Sequence, residues 1–228
     1  MIAMSRESYQ QELSALREGV VALSETVVDR LELALSSLAT GETAAARRVV
    51  DGDGEINDRY LELEGDCIDL FALQQPVASD LRFVAASFKI LTDLERVADL
   101  ATNLAEYALE ASREVFPEVD VQALGVSAIE MVELAVEAYT EADTAACFAI
   151  DEYDDSLDQR CAEASDAVVR HLIERETAMA DDDTVQRLLD DASRLLLTIR
   201  DLERVGDHAV NVAARTLYMV ENDDALIY

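Results

Sequence analysis

The sequence predicts an all-α protein made of two tandem three-helix bundles, that is, six long helices that form an internal repeat. Two observations support this fold class. Apolar residues recur three and four positions apart almost everywhere, and no strand-length window alternates aromatic or β-branched residues with polar ones. In addition, one long helical segment occurs twice. Only two prolines interrupt the helical pattern, Pro76 and Pro117.

The internal repeat is clearest in the third helix of each half. Residues 93–109 read DLERVADLATNLAEYAL and residues 201–217 read DLERVGDHAVNVAARTL, which gives 10 identities in 17 positions at an offset of 108. A weaker match aligns residues 53–57 with residues 154–158. Similarity at a fixed offset indicates that one structural unit is used twice.

Turn and cap residues divide the chain into helices of about 22 to 38 residues. Long antiparallel helices joined by short loops form bundles. We place the first repeat at residues 1–116 and the second at residues 117–228. The predicted breaks lie at residues 40–41, 74–76, 116–117, 143–144 and 181–184.

Composition restricts the classes of partner. The chain of 228 residues is 50% hydrophobic, which is enough to bury a sizeable core. Its 49 acidic and 18 basic residues give a net charge of −31, and Lys89 is the single lysine. Such a surface repels nucleic acids and anionic lipid. Because the acids are spread along the whole chain, we expect a halophilic source whose salt screens their repulsion.

The sequence also favours a cytoplasmic location. No stretch without charged residues exceeds ten positions, whereas a membrane-spanning helix needs about 20 apolar residues. The first ten residues lack the apolar segment of a signal peptide. Cys67, Cys147 and Cys161 are odd in number and widely spaced, so we expect buried free thiols rather than disulfides or a zinc cage.

Paired carboxylates on the third helix of each repeat are the main candidate metal ligands. Residues four apart lie on one helix face, and two like charges there destabilise a helix unless a cation lies between them. Oxygen ligands favour hard ions, so iron, Mn²⁺ or Mg²⁺ is expected. These candidates are Glu95, Asp99, Glu203 and Asp207.

The second helix of each repeat supplies further candidates with the same spacing, and antiparallel pairing would bring them opposite the first set. Gly52 and Gly54 weaken the helix by about 1 kcal/mol each relative to alanine, which predicts a kink or a late helix start. The second-helix candidates are Asp53, Asn57, Asp154 and Asp158.

Simpler explanations exist for these acids. Acidic pairs arise by chance on solvated faces of so acidic a chain, and Arg96 and Arg204 could neutralise them. The second-helix acids could equally be exposed helix-start residues. The recurrence of one acidic string at equivalent places favours metal binding. His208 follows Asp207, but its counterpart is Leu100, so we expect an ordinary surface or core histidine.

Catalytic motifs are missing, and we predict no catalytic residue and no enzyme. Ferritin-like di-iron bundles need Glu-x-x-His pairs, whereas Val168 and Val205 lie three positions before His171 and His208. No glycine-rich phosphate loop or nucleophile elbow occurs. Two alternative functions remain open: a metal-dependent phosphohydrolase, since clustered carboxylates suit two-metal chemistry, and a purely structural helical scaffold.

Three segments together resemble the PhoU family of phosphate-uptake regulators. These are the twice-used acidic string, the D-x-x-I-N pattern of residues 53–57 and the segment QQPVASDLR at residues 74–82. The resemblance covers nearly the whole chain. It implies tandem three-helix bundles, commonly dimeric, that bind iron or other metal clusters through these acids.

The resemblance also implies a function and partners. Family members act with the phosphate ABC transporter and its ATPase and, in bacteria, with a phosphate-sensing histidine kinase. We therefore expect a metal-binding regulatory adaptor, a homodimer, that controls phosphate uptake by docking on a phosphate transporter or its ATPase. The second repeat departs from the family pattern because it lacks the Pro-x-x-x-Asp-Leu-Arg segment and Asp80 has no aligned acid. Its site is expected to bind fewer ions or a different ion.

Overall fold

The computed structural model describes residues 6–73, 78–110, 116, 118–176 and 182–227, and these ranges contain helices and no strand. The predicted all-α class is confirmed. The helices, in chain order, are α1 Arg6–Thr40, α2 Thr43–Asp51, α3 Asp53–Leu73, α4 Ala78–Glu110, α5 Val121–Glu141, α6 Thr144–Glu176 and α7 Asp182–Glu221.

Seven segments replace the six predicted helices because the second helix is interrupted at Gly52, where α2 ends and α3 begins. The Gly52 N–H donates to the carbonyl of Val49 at 3.3 Å, which closes a tighter turn than an α-helix. The Arg30 guanidinium fills the space where a side chain would stand, with Nη2 2.7 Å from an ideal Cβ position. The kink predicted from the glycines is confirmed.

The predicted helix breaks that fall on described residues are also confirmed. Gly41 follows α1 with a φ of +68°, a left-handed conformation that glycine adopts without strain. Asp143 begins α6 by accepting the Ala145 and Ala146 N–H groups at 3.0 and 3.1 Å. The last helix begins at Asp182, within the predicted break. The breaks at residues 74–76 and at Pro117 lie outside the described residues.

The two repeats share one hydrophobic core. Helix α4 packs against α7, and α1 packs against α5, so the third helices and the first helices both meet across the repeats. In the core, the Tyr139 hydroxyl lies 2.7 Å from the Ser87 hydroxyl, and its ring stacks on Phe83 at 6.1 Å. Each repeat therefore buries part of its apolar surface against the other. The boundary between residues 116 and 117 stays a prediction.

Two further features concern the apolar character of the helices and the cysteines. None of the helices in the described ranges combines the length and apolar character needed to cross a membrane. The three cysteines are buried and free, as the sequence predicted.

Close packing between the repeats can be tested at Gly125 of α5. A Cβ there would press into the isopropyl carbons of Leu35 on α1, and both residues are buried. We expect Gly125→Ala to cost about 1–3 kcal/mol of stability through overpacking. Gly65→Ala on α3 is the control, because its Cβ enters open space; it should gain up to about 1 kcal/mol. Urea unfolding measures both, and a Gly125→Ala protein as stable as the parent would contradict the packing.

Candidate metal centres

The first acidic cluster lies between the start of α3 and the middle of α4. Burial raises the pKa of Glu95, followed by repulsion from Asp99; Arg96 opposes this shift, and Asp53 adds to it. Asn57 joins the cluster by donating from Nδ2 to Asp53 Oδ2 at 3.1 Å. The four residues predicted for the first repeat are thus brought together, with two helices contributing two residues each.

Hydrogen-bond donors and cations already neutralise much of this first cluster. Besides Asn57, the Thr102 hydroxyl donates to Asp53 Oδ1 at 3.2 Å and shares its proton with the Ala98 carbonyl at 3.2 Å, so each oxygen of Asp53 has a donor. Arg96 lies 3.6 Å from a Glu95 oxygen and 3.4 Å from an Asp99 oxygen. The cavity beside these acids has a volume of about 260 Å³, and both Arg96 and Arg204 line it.

The second acidic cluster joins α6 to α7. Burial raises the pKa of Asp154 to about 7, and repulsion from Asp158 and then from Asp207 adds to the shift. Burial, followed by Asp158 and Asp207, also raises the pKa of Glu203. Asp158 and Asp207 therefore each lie within electrostatic range of both Asp154 and Glu203, which gathers the four acids predicted for the second repeat into one cluster.

One carboxylate oxygen of this second cluster has no hydrogen-bond partner among the residues that the structure describes. Asp154 Oδ1 is buried, and none of these residues donates a hydrogen bond to it. It lies against the α7 backbone, since a Cβ on Gly206 would come within 2.7 Å of it. Buried carboxylate oxygens are normally satisfied, and an unpaired one is costly.

The repeat alignment explains the missing donors. At the offsets that align the two halves, Thr102 corresponds to Val210, and Asn57 corresponds to Asp158. Both groups that satisfy Asp53 in the first cluster are therefore lost around Asp154, one to an apolar side chain and one to a third acid.

A hard cation fits the second cluster better than the first. Its donors are carboxylates only, because burial, followed by Glu203 and Asp158, raises the pKa of the adjacent Cys161 to about 12 and keeps it a neutral thiol. As the side chains stand, no three acidic, histidine or cysteine residues among those described converge on one metal position. A bound ion would thus have to draw the carboxylates together.

Asp80 is too far away to join the first cluster. It lies fifteen residues before Glu95 on α4, about 22 Å along the helix axis. It lies near Tyr9 of α1 instead, where burial and then its own charge raise the pKa of that phenol. The second repeat has no acid aligned with Asp80, but this difference does not reduce the number of ligands that the second cluster offers.

Two reciprocal hydrogen bonds tie the third helices together. Asn103 Nδ2 of α4 donates to Asp201 Oδ2 of α7 at 3.3 Å, and Asn211 Nδ2 of α7 donates to Asp93 Oδ1 of α4 at 3.2 Å. The two asparagines correspond to each other at the offset of 108, and so do the two aspartates. The repeated string therefore serves the contact between the repeats as well as the acidic clusters.

Each of these two contacts between the repeats includes a third side chain besides the asparagine and the aspartate, and this side chain differs between them. The Tyr107 hydroxyl donates to Asp201 Oδ2 at 3.1 Å, whereas His208 Nδ1 lies 2.9 Å from Asp93 Oδ1. His208 is half-buried and opposes the rise that burial causes in the pKa of Glu95, so it links the inter-repeat contact to the first cluster. His171 is a partly buried helix residue and packs against the Phe116 ring at 5.0 Å.

Sequence reasoning missed Asp93, Asp201, Thr102 and Tyr107. The two aspartates open both copies of the repeated string, so the signal was present as an identity at equivalent positions. The spacing of residues along one helix did not indicate a function for these aspartates, because their hydrogen-bond partners lie on the other repeat. Thr102 could have been found by asking which residues differ between the two copies.

The fold and the site define a duplicated helical bundle in which each half pairs acids of its second and third helices. The chain belongs to the PhoU family: the profile described as PhoU domain matches residues 20–108 and again residues 121–216. Each match lies within one of the repeats recognised from the sequence. The family expected from the resemblance is thereby confirmed.

Similar proteins extend over nearly the full chain. The phosphate-specific transport system accessory protein PhoU homolog of Xylella fastidiosa is 30% identical over 96% of this chain and 89% of its own length. The phosphate-specific transport system accessory protein PhoU of Escherichia coli K12 is 28% identical over 95% of this chain and 86% of its own. The crystal structure of PhoU from Pseudomonas aeruginosa superposes with a TM-score of 0.84 at 27% identity, covering 94% of this chain and all of that one.

The raised pKa of Asp154 predicts how stability depends on pH in protein freed of metal with EDTA. An aspartate in an unfolded chain has a pKa of about 3.9, so the folded protein binds the Asp154 proton more tightly than the unfolded chain does. The stabilising contribution of the protonated group is present below about pH 4 and is lost as the pH rises through about 7.

Asp154→Asn cannot ionise, so its melting temperature should fall less than that of the parent between about pH 5 and about pH 8, by a few degrees. Glu152→Gln, at an exposed position on α6, is the control and should follow the parent. Parallel melting curves for the parent and Asp154→Asn would contradict the buried position of this carboxylate.

Proposed function

We propose that this protein is a metal-binding regulatory adaptor of phosphate uptake that docks on a phosphate transporter or its ATPase. The observation that carries the proposal is the pairing, in both repeats, of third-helix acids with second-helix acids, in a chain similar over its length to proteins named as phosphate transport accessory proteins. No enzymatic step is part of this function. Free buried thiols suit action in a reducing cytoplasm.

The metal, proposed as iron, Mn²⁺ or Mg²⁺, would be held by the eight residues predicted from the sequence. In the second centre, Asp154, Asp158, Glu203 and Asp207 offer oxygen ligands only, and the unpaired Oδ1 of Asp154 supplies the strongest local demand for positive charge. In the first centre, Asp53 is already satisfied, so a cation there would compete with Thr102 and Asn57. The second centre is therefore the tighter of the two.

When bound, the metal supplies positive charge and open coordination positions that an oxyanion such as phosphate could complete. The residues of the chain provide the rest of the arrangement. The carboxylates project from α6 and α7 in the second repeat and from α3 and α4 in the first. A change of charge at either centre would therefore act on the helices that hold the repeats together.

Metal stoichiometry tests the ligand assignment. We expect Glu203→Ala/Asp207→Ala to empty the second centre and leave metal in the first, because the two sets of ligands lie on separate helix pairs. The melting temperature of the metal-loaded protein should fall, and EDTA should affect this variant less than the parent, since a ligand that binds only the folded state stabilises it. Elemental analysis and melting curves at high salt provide both measurements.

The matched control is Asp58→Ala/Glu62→Ala, an exposed acidic pair with the same four-residue spacing on α3. It should leave the metal content unchanged. If Glu203→Ala/Asp207→Ala also keeps its metal and is as stable as the parent, the ligand assignment is wrong, and relief of like-charge repulsion on a solvated face explains the result.

The regulatory role is tested in cells of the source organism. Deletion of the gene is expected to change the rate of phosphate uptake, measured with radiolabelled phosphate, because the regulator of the transporter is lost. The parent gene should restore the original rate, whereas Glu203→Ala/Asp207→Ala should not. Sulfate uptake in the same cells serves as the control for a general effect on transport. Unchanged phosphate uptake after deletion would refute the proposed function.

A further inference from the structure

An open groove runs between α5 and α6 on the outer side of the second repeat. Its volume is about 700 Å³, within the range of binding pockets in proteins. Met131 and Leu157 form part of its lining and are only 2% and 1% exposed, so the floor is apolar. Leu134 and Tyr153 also line the groove and are 36% and 53% exposed, which leaves apolar surface open to solvent.

The rim of the groove is acidic on its α5 side. Glu130, Glu133 and Glu137 follow one another at spacings of three and four, so they lie along one face of α5, and all three are exposed. Within the described ranges, none of them forms an ion pair. The one basic residue of the lining is Arg160, whose Nη1 donates to the Ser127 hydroxyl at 2.7 Å. The groove thus offers three carboxylates against one cation.

The equivalent helix crossing in the first repeat is packed differently. There, the Leu63 side chain lies directly against the backbone of Gly19, so α1 and α3 approach closely. At the offset of 101 that aligns residues 53–57 with residues 154–158, the second repeat has Ala164 for Leu63. The large apolar side chain that closes the first crossing is therefore missing beside the groove.

We propose that the α5–α6 groove binds a basic amphipathic helix of a partner protein. The three glutamates span about 10 Å along α5, two helical turns, which matches lysines or arginines at the same spacing on a helix lying alongside. The apolar face of that helix would cover Leu134, Tyr153 and the floor, as in other helix-in-groove complexes.

Charge complementarity distinguishes this occupant from others. A second copy of this chain, with a net charge of −31, would in general bring further acids against the three glutamates. This inference rests on the proposed function, because a regulatory adaptor needs a partner protein. The segment of the partner that docks in the groove would be basic and amphipathic.

A synthetic amphipathic helix of about 18 residues, with leucines on one face and lysines along its edge, is the probe. Its affinity for the full chain is measured by calorimetry. We expect Glu130→Gln/Glu133→Gln/Glu137→Gln to weaken binding about tenfold, since three partly exposed ion pairs are lost. The control is Asp58→Asn/Asp66→Asn/Asp69→Asn, which removes the same charge from exposed positions on α3 and should change the affinity less than about twofold.

A second variant tests the apolar part of the groove. Leu134→Ala/Tyr153→Ala should weaken binding of the same peptide at high salt, where the ion pairs contribute least, and circular dichroism verifies that both variants remain folded. Equal weakening in the groove and α3 charge variants would overturn the proposal in favour of general attraction to an acidic surface. Unchanged affinity in all variants would also overturn it.

Self-association is the remaining outcome that overturns the proposal. Sedimentation of the parent and of Leu134→Ala/Tyr153→Ala shows whether the groove is instead the interface of a homodimer, in which case the variant becomes monomeric. Because these measurements use purified protein and a peptide, they can fail while deletion of the gene still alters phosphate uptake. The docking groove and the regulatory function are therefore tested separately.

Discussion

The contact between α4 and α7 is the constraint on which the rest of the structure depends. Both helices carry acids of a candidate metal centre, and both contribute to the core shared by the repeats. Their reciprocal bonds, Asn103 to Asp201 and Asn211 to Asp93, set the rotation of each helix about its axis. With that rotation fixed, Glu95 and Glu203 turn towards the second helix of their own repeat. The acidic clusters thus follow from how the halves are held together.

The fold could be predicted from the sequence because helix periodicity and repetition are local signals. Spacings of three and four define each helix, and identities at an offset of 108 define the repeat. The proximity of Asp158 to Glu203 could also be predicted, since antiparallel neighbours in a bundle pair in a known way. The inter-repeat bonds were not within reach. Asn103 and Asp201 are 98 residues apart. The sequence of a single helix does not show whether a side chain contacts the other repeat or a neighbour on its own helix.

The two candidate centres show how a small sequence difference changes the electrostatics of one scaffold. Asp53 and Asp154 occupy equivalent positions, yet only Asp53 has hydroxyl and amide donors on both oxygens. Replacement of Thr102 by Val210 removes the hydroxyl, and replacement of Asn57 by Asp158 turns a donor into a further negative charge. Burial then dominates, and the pKa of Asp154 rises to about 7. Because the two copies lie in one chain and need not match, one cluster is satisfied internally while the other keeps an unpaired, buried carboxylate oxygen.

The reciprocal asparagine–aspartate bonds also bear on the origin of the protein. Two identical three-helix units related by a twofold axis would form the same pair of bonds, each unit giving one donor and one acceptor. An ancestral single-repeat protein could therefore have assembled as an isologous dimer through this contact before its gene was duplicated and joined. Once both copies lay in one polypeptide, symmetry no longer forced their residues to match. His208 opposite Asp93 and Tyr107 opposite Asp201 record that release, with an imidazole on one side of the contact and a phenol on the other.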